Sequence, residues 1–428
     1  MKQLFSGGIH PDGHKDMSRG GAPVIVPAPE TVVIPLRQHI GAACEPLVQV
    51  GDAVLMGQKI GDGAGRCSPV HSSVSGTVTA IEPHEIPGGD TVMCVVIKND
   101  GKDSPAEASG LADYMGADAK AVAAIVRECG IVGMGGAAFP TDSKIGSTAG
   151  KTETVLINAC ECEPYITSDD TMMCQHPADV IGGARLLAKV LKASKSIIAV
   201  EDNKPEAIEA LRAEAGDDPL VEIRVLPTRY PQGAKKQLIQ AVTGREVAPG
   251  ARSGALFNVT TTASIFRAVT KGQPMIEKIV TVTGDGVNEP KNMLARVGTS
   301  FADVLKAAGG IKDETKQVIA GGPMMGKSVG SLDVPVVKGT NAILCLCTEC
   351  DAAADPVCIR CGKCVSVCPM RLQPLYLYRY AKSGDKAMLK EYNLDDCMEC
   401  GCCSFVCPGK LPLTATFVEA KHMLKGGK

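Results

Sequence analysis

The chain has 428 residues, 45% of them hydrophobic and 21% charged, with a net charge of −2. That balance argues against nucleic acid or an anionic membrane surface as partner, and the absence of Trp with only 3% aromatics argues against base-stacking platforms. The length suits about three domains. The N-terminus lacks an apolar signal core and no run of about eighteen apolar residues occurs, so an intracellular protein is expected, meeting a membrane only through partners. Nineteen cysteines in such a chain point to metal or redox chemistry rather than disulfides, and twelve of the nineteen fall after residue 344.

Residues 1–105 read as strand–turn units with Gly at the turns, in "LVQVGDAVLMGQKIGDGAG" and "SPVHSSVSGTVTAIEP". They are similar to the barrel-sandwich hybrid of biotinyl and lipoyl carrier domains. A carrier presents a lysine at its hairpin tip. The tip here, "DGAGRCS", has none, so a packing or docking module is expected. His10 and His14 in "GGIHPDGHK" stand without other ligand-type neighbours and read as loop residues.

The segment 106–272 has α/β character. A helix over 117–129 leads into "GIVGMGGAAFPTDSK", with Gly133, Gly135, Gly136 and then Lys144. Glycines let backbone N–H groups approach a phosphate or flat ring, and a lysine adds a point charge. A plain tight turn fits this loop equally well, since it matches neither the G-x-G-x-x-G nor the Walker fingerprint. "TVLINACECEPY" follows as a buried strand over Val155 to Asn158, and carboxyl ends of parallel strands are ligand sites in α/β sheets. Glu161 and Glu163 then lie either beside a cofactor or in a solvated loop. "YPQGAKKQL" puts Gly233, Lys235 and Lys236 at a helix start, an anion-binding position. "FNVTTTA" adds Asn258 and Thr260 after a further short strand.

These four segments, in this order, resemble the flavin- and NADH-binding subunit of respiratory complex I. The resemblance implies a Rossmann-like domain with FMN held by Gly133, Gly135, Gly136, Lys144, Asn158, Glu161, Gly233 and Asn258. It implies NAD(H) near Glu163, with Phe139 as adenine stacker, and makes Glu163 and Glu161 the candidate catalytic carboxylates. Met134, Cys160, Ala234 and Lys235 depart from that family's pattern. Residues 273–340, from "KIVTVTGDGV" to "QVIAGGPMMGKSV", read as strand, hairpin, short helix and strand. They resemble the soluble-ligand-binding β-grasp (SLBB-like) module of the same complex I subunit.

Residues 341–428 carry two C-x2-C-x2-C-x3-C-P runs, Cys358, Cys361, Cys364, Cys368 and Cys397, Cys400, Cys403, Cys407. In paired runs of this kind three thiolates hold one cubane and the fourth crosses to the other. Cys358, Cys361, Cys364 and Cys407 are therefore assigned to one [4Fe-4S] cluster, and Cys397, Cys400, Cys403 and Cys368 to a second. Structural zinc would need only C-x2-C pairs, not two full runs each ending in Pro. Cys402 falls off register and is the spare thiol. The residues between the runs have helical periodicity, which favours a helical ferredoxin over a minimal one.

The order hybrid domain, FMN/NADH domain, β-grasp and dicluster ferredoxin resembles one family over essentially the whole chain. The family it resembles is that of the C subunits of the Rnf (Rsx) ferredoxin:NAD oxidoreductase complex. The resemblance implies a peripheral subunit on the cytoplasmic face, partnered by the membrane and iron–sulfur subunits of such a complex. It would exchange electrons between NADH and, indirectly, ferredoxin, coupled to Na⁺ or H⁺ movement. Alternatives left open are a cobalamin reductase of microcompartment type and a non-catalytic electron-transfer or assembly subunit.

Overall fold

A computed structural model describes residues 4–134, 138–248, 254–348 and 356–426. Gly135 and Gly136 lie outside the described residues. In the N-terminal module a four-stranded antiparallel sheet runs Thr31–Pro35, Thr91–Asn99, Gly76–Glu85, Ala53–Val54 in spatial order. A three-stranded sheet of Glu45–Pro46, Lys59–Asp62 and Val70–His71 accompanies it. Their shared core is mostly β-branched, with Val32, Ile34, Ile60, Val70, Val78 and Ile97 fully or almost fully buried, as suits pleated surfaces.

Lys338 knits this module to its neighbours: its buried ammonium donates to Pro69 O at 2.6 Å and to Gly130 O at 2.7 Å. Burial and that cation hold His39 down to about 4 and His71 to about 3, so both are neutral when folded. Unfolded, each takes a proton near pH 6.5. Their contribution to stability is therefore full above that pH and lost as pH falls toward 4 and 3, at about 1.4 kcal/mol per pH unit for each. Denaturant midpoints followed across this window should fall with acid, and His71→Asn should flatten the slope; an unchanged slope would contradict the neutral assignment.

The second module is a parallel sheet in spatial order Val221–Leu226, Lys195–Glu201, Thr154–Ala159, Leu256–Asn258. Val155, Ile157 and Ala159 point into one core while Leu156 packs into another. Cover on both faces explains why this strand reads as an unbroken apolar run. The chain steps outward twice from Thr154–Ala159, then returns to its other side. That reversal creates a switch point between Thr154–Ala159 and Leu256–Asn258, where Asn158 and Asn258 are register partners. Open α/β sheets bind ligands at such crevices.

The β-grasp sheet is larger than its predicted span of 273–340. It has six strands in the order Val24–Ile25, Lys291–Arg296, Glu277–Thr283, Ala342–Leu346, Gln317–Ala320, Lys327–Ser328. Ala342–Leu346 pairs on both sides, parallel to Glu277–Thr283 and antiparallel to Gln317–Ala320. It belongs to this sheet rather than to the cluster domain, and Cys345 is a buried core thiol within it. Short helices complete the C-terminal module around Leu377, Leu389, Leu394, Leu413 and Phe417. No helix among the described residues is long and apolar enough to cross a membrane.

Candidate functional site

The glycine loop leaves the helix Ala119–Glu128, whose N-terminus is capped by Asp118 accepting from Ala121 N–H. Its neck is closed by Gly133 N–H donating to Phe139 O at 2.9 Å, and Met134 N–H donates to Thr261 Oγ1 at 2.8 Å. The loop is thus tied to the helix that follows Leu256–Asn258. Lys144, in the helix Thr141–Thr148, donates to Leu256 O at 2.9 Å and lies over Phe257. Burial holds its ammonium down to about 8.

At the strand ends, Asn158 Nδ2 donates to Gly233 O at 2.9 Å, so two of the predicted segments meet directly. A Cβ at Gly233 would stand 3.2 Å from the Asn158 amide and 3.4 Å from Cys162 Sγ, a cradle that glycine keeps open. Gln232 beside it is fully buried, with neither amide atom partnered among the described residues. Thr141 Oγ1 and Asp142 Oδ1 are likewise buried and unpartnered. Buried polar atoms without partners are costly, so the Gln232 amide beside the switch point fits a polar ligand such as a flavin nucleotide.

The two glutamates serve different neighbours. Glu161 adopts φ 47° and turns its carboxylate onto the N-terminus of the helix Ser168–Gln175, accepting from Asp169 N–H at 2.6 Å and Asp170 N–H at 3.2 Å. A catalytic carboxylate facing substrate is the sequence expectation; the helix end captures it instead, because unsatisfied N–H groups attract an anion there. Burial pushes its carboxyl well up, opposed by the Lys15 ammonium. Glu163 accepts from Met324 and Met325 N–H at 2.7 and 3.1 Å, which ties it to the "GGPMMG" turn of the β-grasp module. Burial raises its carboxyl too.

Asp169 has no signature in the sequence, yet it links both halves of the site. Its carboxylate accepts from Asn258 Nδ2 at 2.7 Å and Thr260 Oγ1 at 2.6 Å. Lys15, from a loop read as unremarkable, sends a buried ammonium to Glu163 O at 3.1 Å and Ile166 O at 2.5 Å. Below lies the fully buried pair Glu201–Lys204, 3.6 Å apart, with Lys204 also donating to Cys160 O at 2.6 Å.

The cysteines gather in two cavities. Cys358, Cys361, Cys364 and Cys407 line one; Cys368, Cys397, Cys400 and Cys403 line the other, which Cys402 also borders. Four thiols along the lining of each supply the donor type and number that a cubane requires. The second cavity adjoins the switch-point site. Tyr230 donates its hydroxyl to Cys400 O at 2.8 Å, Gln237 donates to Pro369 O at 3.0 Å, and Lys236 pairs with Asp396 at 3.3 Å. The first cavity lies at the surface, where Cys358 and Cys361 are exposed alongside Val357 and Ile359.

Four family models match: the RnfC barrel sandwich hybrid domain over residues 3–102, the Nuo51 FMN-binding domain over 126–267, the SLBB domain over 279–328 and the 4Fe-4S dicluster domain over 357–410. The FMN-binding and dicluster matches coincide with the two sites above. Among curated relatives, the C subunit of the ion-translocating oxidoreductase complex from Erwinia tasmaniensis is 44% identical over 97% of this chain and 53% of its own length. Its counterpart from Yersinia pestis is 44% identical over 97% of this chain and 68% of its own length. The chain thus spans about half to two thirds of the length of the relatives it matches. An NAD⁺-reducing [NiFe]-hydrogenase structure aligns at TM-score 0.49 with 20% identity, covering 74% of this chain and 63% of that one. With an FMN-binding domain and a dicluster domain joined to a hybrid module and a β-grasp, and with this identity along nearly its whole length, the chain belongs to the family of C subunits of the ion-translocating oxidoreductase complex.

Proposed function

We propose that this chain is the peripheral electron-exchange subunit of an Rnf-type complex on the cytoplasmic face of the membrane. It passes electrons between NADH and partner subunits in ferredoxin:NAD⁺ oxidoreduction coupled to Na⁺ or H⁺ transport. The observation that carries this is the direct abutment of the switch-point site on the second cysteine cavity through Tyr230 and Cys400. FMN, when bound, accepts a hydride's two electrons and releases them singly. Asn158, Gly233, Asn258 and Lys144 would hold it, together with the loop of Gly133, Gly135 and Gly136. Glu161 would act through Asp169 as a positioning residue. Glu163 would face the nicotinamide, its burial-raised carboxyl poised in a site that excludes water.

The contacts of Tyr230 and Gln237 support an order in which Cys368, Cys397, Cys400 and Cys403 hold the cluster nearer the flavin. Cys358, Cys361, Cys364 and Cys407 would hold the outer cluster, whose exposed rim suits exchange with a partner subunit. The test is anaerobic addition of NADH to the purified chain carrying its full cofactor complement. Flavin bleaching should be followed by loss of cluster absorbance, and no bleaching would sink the NADH assignment. Glu163→Gln should slow bleaching about tenfold or more, a loss typical of a misplaced group, while FMN stays bound. Release of FMN from that variant would contradict the division of roles.

A further inference from the structure

The glycine loop has no cation of its own. Residues 133–139 contain no basic side chain, and Lys144, assigned above to the flavin, donates to Leu256 O. A cation reaches the loop from the N-terminal module instead. The Arg66 guanidinium carbon stands 5.4 Å from the centroid of the half-buried Phe139 ring. Arg66 is exposed, and no ion pair among the described residues involves it; the carboxylate of its own hairpin, Asp62, is taken by Lys59 and Arg127.

The hairpin that carries Arg66 is fixed in place. Arg127, in the last turn of the helix Ala119–Glu128, donates to both Asp62 oxygens at 2.7 and 3.2 Å and to Gly63 O at 3.1 Å. Lys59 pairs with Glu128 alongside. Arg66 O accepts from Ala42 N–H at 3.1 Å, and a Cβ at Gly41 would collide with that carbonyl. Cys67 Sγ rests 3.1 Å from Cys44 Sγ. The tip is therefore held against the helix end from which the glycine loop departs.

We propose that Arg66 is a nucleotide-binding residue lent by the hairpin tip, its guanidinium taking a phosphate of a pyridine dinucleotide that docks at Phe139. The inference rests on the NADH assignment above. A guanidinium matches phosphate through a planar fork and also stacks on aromatic rings, so an unpaired arginine on Phe139 offers both contacts to an adenosine phosphate. Asp62 and Arg127 are then positioning residues.

Calorimetric titration of the FMN-loaded full chain with NADH and with ADP-ribose tests this, with FMN content read from absorbance. Arg66→Ala should weaken both ligands about tenfold, equivalent to about 1.4 kcal/mol, with FMN content unchanged. Arg66→Lys should recover part of the loss, because it restores charge without the fork. Wild-type affinity should fall more steeply with salt than that of Arg66→Ala. Asp62→Asn should give a smaller loss in the same direction. Equal affinity in wild type and Arg66→Ala overturns the inference and leaves the NADH assignment standing. A wild-type chain that binds neither ligand overturns both, and loss of FMN from Arg66→Ala overturns the assignment of Arg66 to the dinucleotide.

Discussion

Cys407→Ser removes the outer cluster and spares the inner one: iron falls from about eight to about four per chain, and the surviving signal is that of the cluster beside Tyr230. Although Cys407 belongs to the second run, its side chain lines the cavity of Cys358, Cys361 and Cys364. Cys403 lies within the short helix Cys402–Phe405 and Cys407 just beyond its end, and their side chains line different cavities. Cys402→Ser is the matched control. That thiol is fully buried in an apolar cluster with Ile9, Tyr230 and Cys400, so iron should stay near eight per chain. Iron and acid-labile sulfide assays with electron paramagnetic resonance of the reduced protein decide the matter. Loss of the inner cluster's signal in Cys407→Ser would reverse the ligand partition, and loss of iron in Cys402→Ser would make the spare thiol a ligand.

Asp169→Ala should release FMN. Without that carboxylate the Asn258 amide and the Thr260 hydroxyl lose their acceptor at 2.7 and 2.6 Å. A buried group left without its partner costs about 1–3 kcal/mol, which corresponds to an affinity loss of about ten- to a hundredfold. Asp169→Asn keeps the shape and one acceptor and should lose less. FMN content after purification and the dissociation constant on reconstitution measure the effect, with circular dichroism to check the fold. Wild-type FMN affinity in Asp169→Ala would separate this network from the flavin site.

The two cysteine runs were legible as candidate cluster ligands because their spacing is local. A cubane fixes its thiolates through tight turns, so the C-x2-C-x2-C-x3-C-P runs carry their own geometry. The strand over Val155 to Asn158 and the helix start at Lys235 were legible for a similar reason: apolar runs and helix-start signals act within a few positions. In the structure Asn258 also caps the helix Val259–Lys271, accepting from Thr261 N–H at 3.1 Å.

What the sequence could not convey is pairing across long separations. Nothing near Asp169 says that it meets Asn258 and Thr260, 89 and 91 residues away. Nothing near Glu161 predicts that a helix end will claim it before a ligand does. Val24–Ile25 and Ala342–Leu346 are too short and too distant to be assigned to one sheet from their own residues. Cofactor chemistry and the order of modules were readable along the chain, because residue types at fixed local spacing carry both. Which buried charges face one another, which cavity adjoins the switch-point site and which module brings Arg66 to Phe139 emerge with the folded chain alone. Those depend on packing and desolvation between segments that no local pattern connects.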